Sequence, residues 1–333
     1  LSNGSFYRLV PNPWDLVERQ VPLPLLPILQ KLLRTDPAER YQNASALKQD
    51  LEQIELVQTN LSSSRKDPPM AANKLILIGS LYAGAGSTFV TLAAAKALNH
   101  YGFPHAVVEL PVNEPELYSL LYGEKHVPKD YVYLPASVMS GRTNLVEWRN
   151  KHTTWYPTNP GGLEEGWNPS STLKLLYALK HTTVLLDISN HWEDGGIQEV
   201  LESADEIIIV VDPMISKLNR PQSNKILKKL FALRRSKESI NIVVNRTPGM
   251  KFFREADHLL PKSPLFSLPN FPYSDVVDSV WKGELIQERP EILNSILAAI
   301  RPLLSRIAPS SFLGDIQQNK MDGMIRRIFK NIS

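Results

Sequence analysis

Short apolar runs punctuate the chain from Lys74 onward. They fall at Lys74–Gly79, Ala106–Leu110, Thr183–Ile188, Glu206–Val211 and Ile240–Val244. The stretches between them carry apolar residues at helical spacing, including Ser87–Asn99, Ser170–Lys180, Lys217–Lys237 and Glu288–Ile307. Strands that are apolar on both sides and alternate with helices predict an α/β fold, a mostly parallel sheet with helices on both faces. Ligands of such sheets sit beyond the carboxyl ends of the strands, so the loop after the first run is the first place to look for a site.

Upstream the pattern changes. Val21 to Leu33 reads as a Pro-started helix with an apolar face. Asp36-Pro37-Ala38-Glu39 predicts a second helix, with Asp as N-cap, Pro in the first position and Glu in the third. Ala44, Leu47, Leu51 and Ile54 give a third amphipathic piece. Three short helices bury little surface, so residues 1–57 are expected to need a partner surface. Residues 58–73, QTNLSSSRKDPPMAAN, have linker composition. The expected organisation is a helical segment at 1–57, a linker at 58–73, an α/β domain at 74–308 and a polar lead-in with a terminal helix at 309–333.

Composition narrows the chemistry only a little. The 333 residues carry a net charge of +3, too small to argue for nucleic acid, and no specific nucleic-acid binding is expected. The absence of cysteine excludes disulfides, thiolate metal sites and cysteine nucleophiles, and it fits a reducing compartment. No apolar run approaches the ~18 residues that span a bilayer, and the start, LSNGSFYRL, carries no signal-peptide pattern. It also lacks an initiator Met, which reads as the edge of a fragment. The histidines have no metal spacing; His181 and His191 read as surface or satisfied polar residues, and no Ser-His-Asp arrangement can be argued.

The informative stretch is KLILIGSLYAGAGSTFVTLAAAKA, Lys74 to Ala97. An apolar strand, a loop holding Gly84 and Gly86, Ser87-Thr88 and an Ala-rich helix are the parts of a phosphate cradle. Glycines let the backbone approach an anion, and the first N–H groups of the helix point at it. The full pattern is G-x-x-x-x-G-K-[ST]. Here Leu81 takes the first glycine and Ser87 takes the lysine, while Gly86 and Thr88 remain. Thr182 to Asp187, TTVLLD, is a strand ending in a carboxylate that could orient Mg²⁺ through water.

Further stations point to one family. Ala204-Asp205-Glu206 followed by IIIVVDP, then INIVVNR at Ile240–Arg246, then LPNFPYSDVVDSVWKGELIQE at Leu268–Glu288, resemble in order and spacing the strands and base-side segment of MinD/ParA-type P-loop proteins. The resemblance runs from about Lys74 to Leu304. It implies ATP or ADP with Mg as cofactors. The cofactor-binding positions that the resemblance implies are Gly84, Ala85, Gly86, Ser87, Thr88, Phe89, Asn245 and Arg246, with Asn245 matching the position that reads the adenine edge in the family. Thr88 and Asp187 are the metal positions.

Departures from the family decide the functional expectation. Aligning YAGAGSTF, Tyr82–Phe89, with KGGVGKTT puts Tyr82 at the signature lysine and Ser87 at the Walker lysine. Glu109-Leu110-Pro111 stands where the family has Asp-x-Asp. Two lysines and a switch acid lost together argue against fast hydrolysis, although the remaining frame leaves room for weak nucleotide binding. GAGST resembles the CpaE/TadZ branch, whose members act as localisation factors for pilus assembly. Separately, LLRTDPAERYQNASALKQDLEQI resembles the end of a bacterial Ser/Thr kinase C-lobe. The Gly-rich loop, strand lysine, HRD and DFG motifs are missing upstream, so no catalytic residue is assigned.

The C-terminal KMDGMIRRIFKNIS places Met321, Met324, Ile325, Ile328, Phe329 and Ile332 on one stripe, with Lys320, Arg326, Arg327 and Lys330 elsewhere. A short basic amphipathic helix is expected to lie in an anionic membrane interface, as in MinD-like proteins. The expectation is a positioning or scaffold protein with little or no ATP hydrolysis, cytoplasmic and peripheral to the inner face of the membrane. Its expected partners are a second copy and proteins of a secretion, pilus or positioning machine. The alternatives are an active ATPase that switches between monomer and nucleotide-bound dimer, with Lys96 or Lys74 supplying charge, and the regulatory end of a Ser/Thr kinase.

Overall fold

The computed structural model describes residues 28, 31–32, 34, 36–48, 74–111, 115–142, 146–162, 166–233, 239–248 and 259–308. The chain divides into two units, Leu1–Met70 and Ala71–Ser333. The stretch 58–73 and the terminal stripe from Met321 to Lys330 lie outside the described residues.

In the first unit, residues 28, 31–32 and 44–48 are helical. The expected helix at Asp36 is instead a 3-10 turn, Pro37–Glu39, in which Asp36 Oδ1 accepts from the Ala38 N–H at 2.9 Å. The side-chain amide of Gln42 donates to the carbonyls of Pro37, Ala38 and Arg40. Those acceptors are what a continuing helix would use, so the turn ends and a new helix follows, capped by Asn43 Oδ1 on the Ala46 N–H.

The second unit is a single sheet covered on both faces. In chain order its elements are β1 (Lys74–Ser80), α1 (Ser87–His100), β2 (His105–Glu109), α2 (Leu117–Leu120), α3 (Gly123–His126), α4 (Leu134–Ser140), β3 (Trp148–Asn150), β4 (Thr153–Tyr156) and α5 (Pro169–Ala178). Then come β5 (Thr183–Asp187), α6 (Gly195–Leu201), β6 (Glu206–Val211), α7 (Ile215–Leu218), α8 (Pro221–Leu233), β7 (Ile240–Thr247), β8 (Phe266–Pro269), α9 (Tyr273–Lys282) and α10 (Pro290–Ile307). The strand order is β3-β4-β2-β5-β1-β6-β7-β8. All neighbours are parallel except the antiparallel β3–β4 pair at one edge.

Alternation along the strands builds two cores. Ile76, Ile78, Val107, Leu185 and Ile208 face α1 and α10. Leu77, Val108, Leu186, Ile209 and Val244 face the other way, toward α5, α6 and α8. Both faces are covered because the crossovers leading to β2, β4, β5, β6 and β7 lay helices over the sheet. The five expected strands form the interior of the sheet. The three that the apolar pattern did not give are short strands on its flanks.

Two expected helices break where proline intervenes. The run Lys217–Lys237 splits into α7 and α8, because Pro221 has no N–H to continue a helix and suits a first helical position. The run from Glu288 begins as a 3-10 turn, Ile286–Glu288, and the α-helix starts at Pro290. The order of strands brings the carboxyl ends of β1, β2, β5 and β6 side by side at one end of the sheet, where the site lies.

Candidate functional site

The turn between β1 and α1 has the geometry of a phosphate loop. Gly84 and Gly86 take positive φ, 83° and 96°, and Gly86 is the N-cap of α1 with no side chain capping it. A Cβ on Gly86 would fall 2.3 Å from Asn245 Nδ2, so both backbone sign and space demand glycine there. Ser87 is buried, and its N–H donates to Ser80 Oγ at 2.9 Å. A side chain buried in this way under the first turn of the helix presents no charge to an anion.

On one side of the turn stands Asp187, at the end of β5 and opposite Ile78 of β1 and Glu109 of β2. Burial pushes its carboxyl up to about 6, and the Glu109 carboxylate pushes in the same direction. The Thr88 and Ser87 hydroxyls and the Ser189 N–H, at 3.0 Å, oppose that shift. Thr88 and Asp187 are thus adjacent, the arrangement that fits a hydroxyl ligand and an outer carboxylate for Mg²⁺.

Glu109 is engaged otherwise. Its Oε1 accepts from the N–H groups of Glu116 (2.7 Å) and Leu117 (2.9 Å), and its Oε2 from the Thr158 N–H (2.9 Å). It clamps the segment after β2 to the end of β4. Burial holds its carboxyl above the ordinary range. A carboxylate with three main-chain donors is poorly suited to orient a water.

On the other side the turn is closed by its own protein. The Tyr82 hydroxyl donates to Asp212 Oδ1 at 2.7 Å and accepts from the Asp212 N–H at 3.1 Å. Burial raises the phenol well above its ordinary range, so it stays a neutral donor. Arg246, with a positive φ of 57°, donates to the Gly84 carbonyl and lies 3.6 Å from Asp212 Oδ2. Asn245 Nδ2 donates to the Ala85 carbonyl at 3.1 Å, and its Oδ1 accepts from the Arg246 N–H at 3.0 Å.

Two cavities meet at the turn. One, of about 410 Å³, is polar and holds Glu109, Glu116, Asp187 and His191, the last kept below its usual range by burial. The other, of about 240 Å³, is largely apolar and runs along α1 under α9. Gly84, Thr88, Glu116 and Ser189 line both. Among the described residues, no lysine or arginine lines either cavity.

No family model matches the sequence, and no curated protein matches it. Solved structures do match. A ParA family ATPase from Chlorobium tepidum TLS superposes over 68% of this chain and 98% of its own, at 15% identity and a TM-score of 0.57. The MinC:MinD cell division protein complex of Aquifex aeolicus gives 21% identity over 71% of this chain and 98% of the other, TM-score 0.55. Septum site-determining protein MinD complexed with Mg-ADP, from Pyrococcus horikoshii OT3, gives 17% identity over 68% and 93%, TM-score 0.53. The fold is that of the MinD/ParA-type P-loop ATPases.

Within the MinD/ParA-type fold, the structure brings Gly84, Ala85, Gly86, Ser87, Thr88, Asn245 and Arg246 together at one turn, with Phe89 in the wall of the apolar cavity and Asp187 beside Thr88. Neither lysine considered as a substitute charge reaches this place. Lys96 is buried in an ion pair with Glu288 and lies over the Trp155 ring. Lys74, at the start of β1, donates to the Arg306 carbonyl at 2.7 Å. The nearer ammonium is Lys217 of α7, 3.5 Å from the Ala83 carbonyl and 5.5 Å from the Tyr82 ring centroid. The sequence did carry a signal for it. A parallel strand next to β1 must deliver the residues that follow it to the same edge, and Lys217 follows β6.

Proposed function

We propose that this chain is a MinD/ParA-like positioning or scaffold protein that hydrolyses ATP slowly or not at all. The observation that carries the reading is the position of Ser87. It is buried at the position that the resemblance gives to a phosphate-binding lysine; the polar cavity at Thr88 is lined by carboxylates, and neither cavity has a lysine or arginine among the described residues. In phosphoryl transfer the protein contributes mainly positioning and positive charge, and losing such a contact costs about 10²–10³ in rate. The adjacent Thr88 and Asp187 support retained binding of a nucleotide with Mg²⁺, which would itself supply the positive charge that the loop lacks. The test is phosphate release from ATP with Mg²⁺ by the wild type and by Ser87→Lys. The expected result is no turnover above background for the wild type and about tenfold tighter ATP binding for the variant. Wild-type turnover at rates usual for this class of ATPase would overturn the reading.

A second reading is favoured by Lys217, whose flexible stem brings an ammonium beside the turn. In that case the chain is an ATPase switching between monomer and nucleotide-bound dimer, and Lys217→Ala abolishes its turnover. The proposal extends to peripheral attachment at an anionic membrane through Met321, Met324, Ile325, Ile328 and Phe329, flanked by Arg326, Arg327 and Lys330. Sedimentation with anionic liposomes is expected to need residues 321–333. Equal pelleting without them contradicts it.

A further inference from the structure

Helix α9 turns much of its apolar side outward. Of its ten residues only Ser279 is buried, while Val276 and Val277 are half-buried. Tyr273 and Trp281 are each 81% exposed, and Val280 is 48% exposed. Tyr273, Val277 and Trp281 recur four residues apart with Val280 beside them, so they form one stripe along the helix. A single exposed apolar residue is ordinary, but two aromatic rings and two valines on one face mark a contact surface. Tyr and Trp each bring ~150–250 Å² to bury. The surroundings of the stripe are acidic. Residues 273–291 carry five carboxylates against two cations, Lys282 and Arg289, both paired with Asp278. Even with Lys96 of α1 paired to Glu288, two carboxylates are in excess.

We propose that the exposed stripe of α9 is the docking site of this chain's own C-terminal segment, Lys320–Ser333. That segment lies outside the described residues, and three properties of the chain point to it. Its apolar residues from Met321 to Ile332 follow helical spacing, a stripe of ~15–18 Å that matches the length of α9. Its charge is opposite, with Lys320, Arg326, Arg327 and Lys330 against Asp322 alone. The connection to it is long enough. The 18-residue α10, ~27 Å in length, starts just past the Ile286–Glu288 turn that packs on α9, and it ends at Ile307. Residues 309–319 extend to ~36 Å, which suffices to return along α10 to α9. A tethered segment has an effective concentration of about millimolar, so a modest contact is enough to hold it. This goes beyond the membrane reading above, since the terminal stripe then has two competing destinations, and the docked state withholds it from lipid.

The test uses the full chain, which has no cysteine, so Val277→Cys with Ile325→Cys introduces a single thiol pair. The probe is a bismaleimide of about 10 Å, the spacing of packed helix axes. Intramolecular cross-linking is expected at about tenfold or more above a control pair, Tyr177→Cys with Ile325→Cys. Tyr177 is 76% exposed on α5, on the opposite face of the sheet from α9. Adding Tyr273→Ser and Trp281→Ser to the first pair should bring the link down to the control, and both positions are too exposed for the change to open a core. Without the thiols, the same Tyr273→Ser, Trp281→Ser variant should pellet with anionic liposomes about threefold more than the wild type, because the competing site is gone. Cross-linking no greater than the control, or only between two copies, overturns the assignment. So does pelleting that falls in the serine variant, which would make α9 itself a lipid contact. If neither protein pellets, the membrane reading fails and the cross-link alone decides the docking.

Discussion

The two sides of the β1–α1 turn are built on opposite terms. Toward Asp187 the turn offers hydroxyls and a raised carboxyl that an incoming metal could complete. Toward Asp212 it is already complete, with its carbonyls held by Arg246 and Asn245 and its Tyr82 ring tied to Asp212. Both sides keep the backbone path of a phosphate loop, because Gly84 and Gly86 hold the positive φ that the path needs. A loop's shape and its charge are therefore separable properties: here the glycines set the shape, while internal hydrogen bonds engage the side chains on the Asp212 side.

The comparison can be broken most forcefully at the residue shared by both sides. Gly86→Ala puts a Cβ into the left-handed region and into Asn245 Nδ2, and it should cost about 2–4 kcal/mol in chemical denaturation. Gly141, with φ 68° and open space within 4 Å of where a Cβ would stand, is the control. Alanine there should cost only about 1 kcal/mol.

Asp187→Asn sharpens the open side. A carboxyl whose folded value is raised to about 6 contributes a stability that is complete below its unfolded value near 3.8 and is lost as pH rises through 6. The variant should therefore gain about 3 kcal/mol at pH 8 and nothing at pH 4. Melting curves across that window check it, and a gain that did not depend on pH would refute the assignment.

Tyr82→Phe probes the closed side. It removes a buried donor from Asp212 and should cost about 1–3 kcal/mol. The smallest effect is expected from Lys217→Ala, within about 0.5 kcal/mol, because the side chain is partly exposed and makes only a long hydrogen bond and a distant ring contact.

These residues also mark where sequence reading succeeds and where it stops. Strands β1, β2, β5, β6 and β7 were legible because strands buried on both faces must be apolar throughout. The β3–β4 hairpin was not, since Arg149, Asn150, Thr153 and Thr154 interrupt any apolar run and Thr153 and Thr154 are buried by partners far along the chain. In the site, Gly84, Gly86, Thr88 and Asp187 could be read from local order. The Tyr82–Asp212 pair could not, because its members are 130 residues apart and meet only through the strand order β1–β6. Glu109 stood at a recognisable position, yet its work is to hold three main-chain N–H groups, which no local pattern displays.

The proposed function turns on whether an ammonium group of this protein serves the phosphates. A crystal structure of the chain with Mg²⁺ and a non-hydrolysable ATP analogue tests it most directly. The account predicts a metal beside Thr88 and Asp187 and no lysine Nζ within hydrogen-bonding distance of the β- or γ-phosphate oxygens. Lys217, or a lysine of a second copy, seated on the γ-phosphate would contradict it.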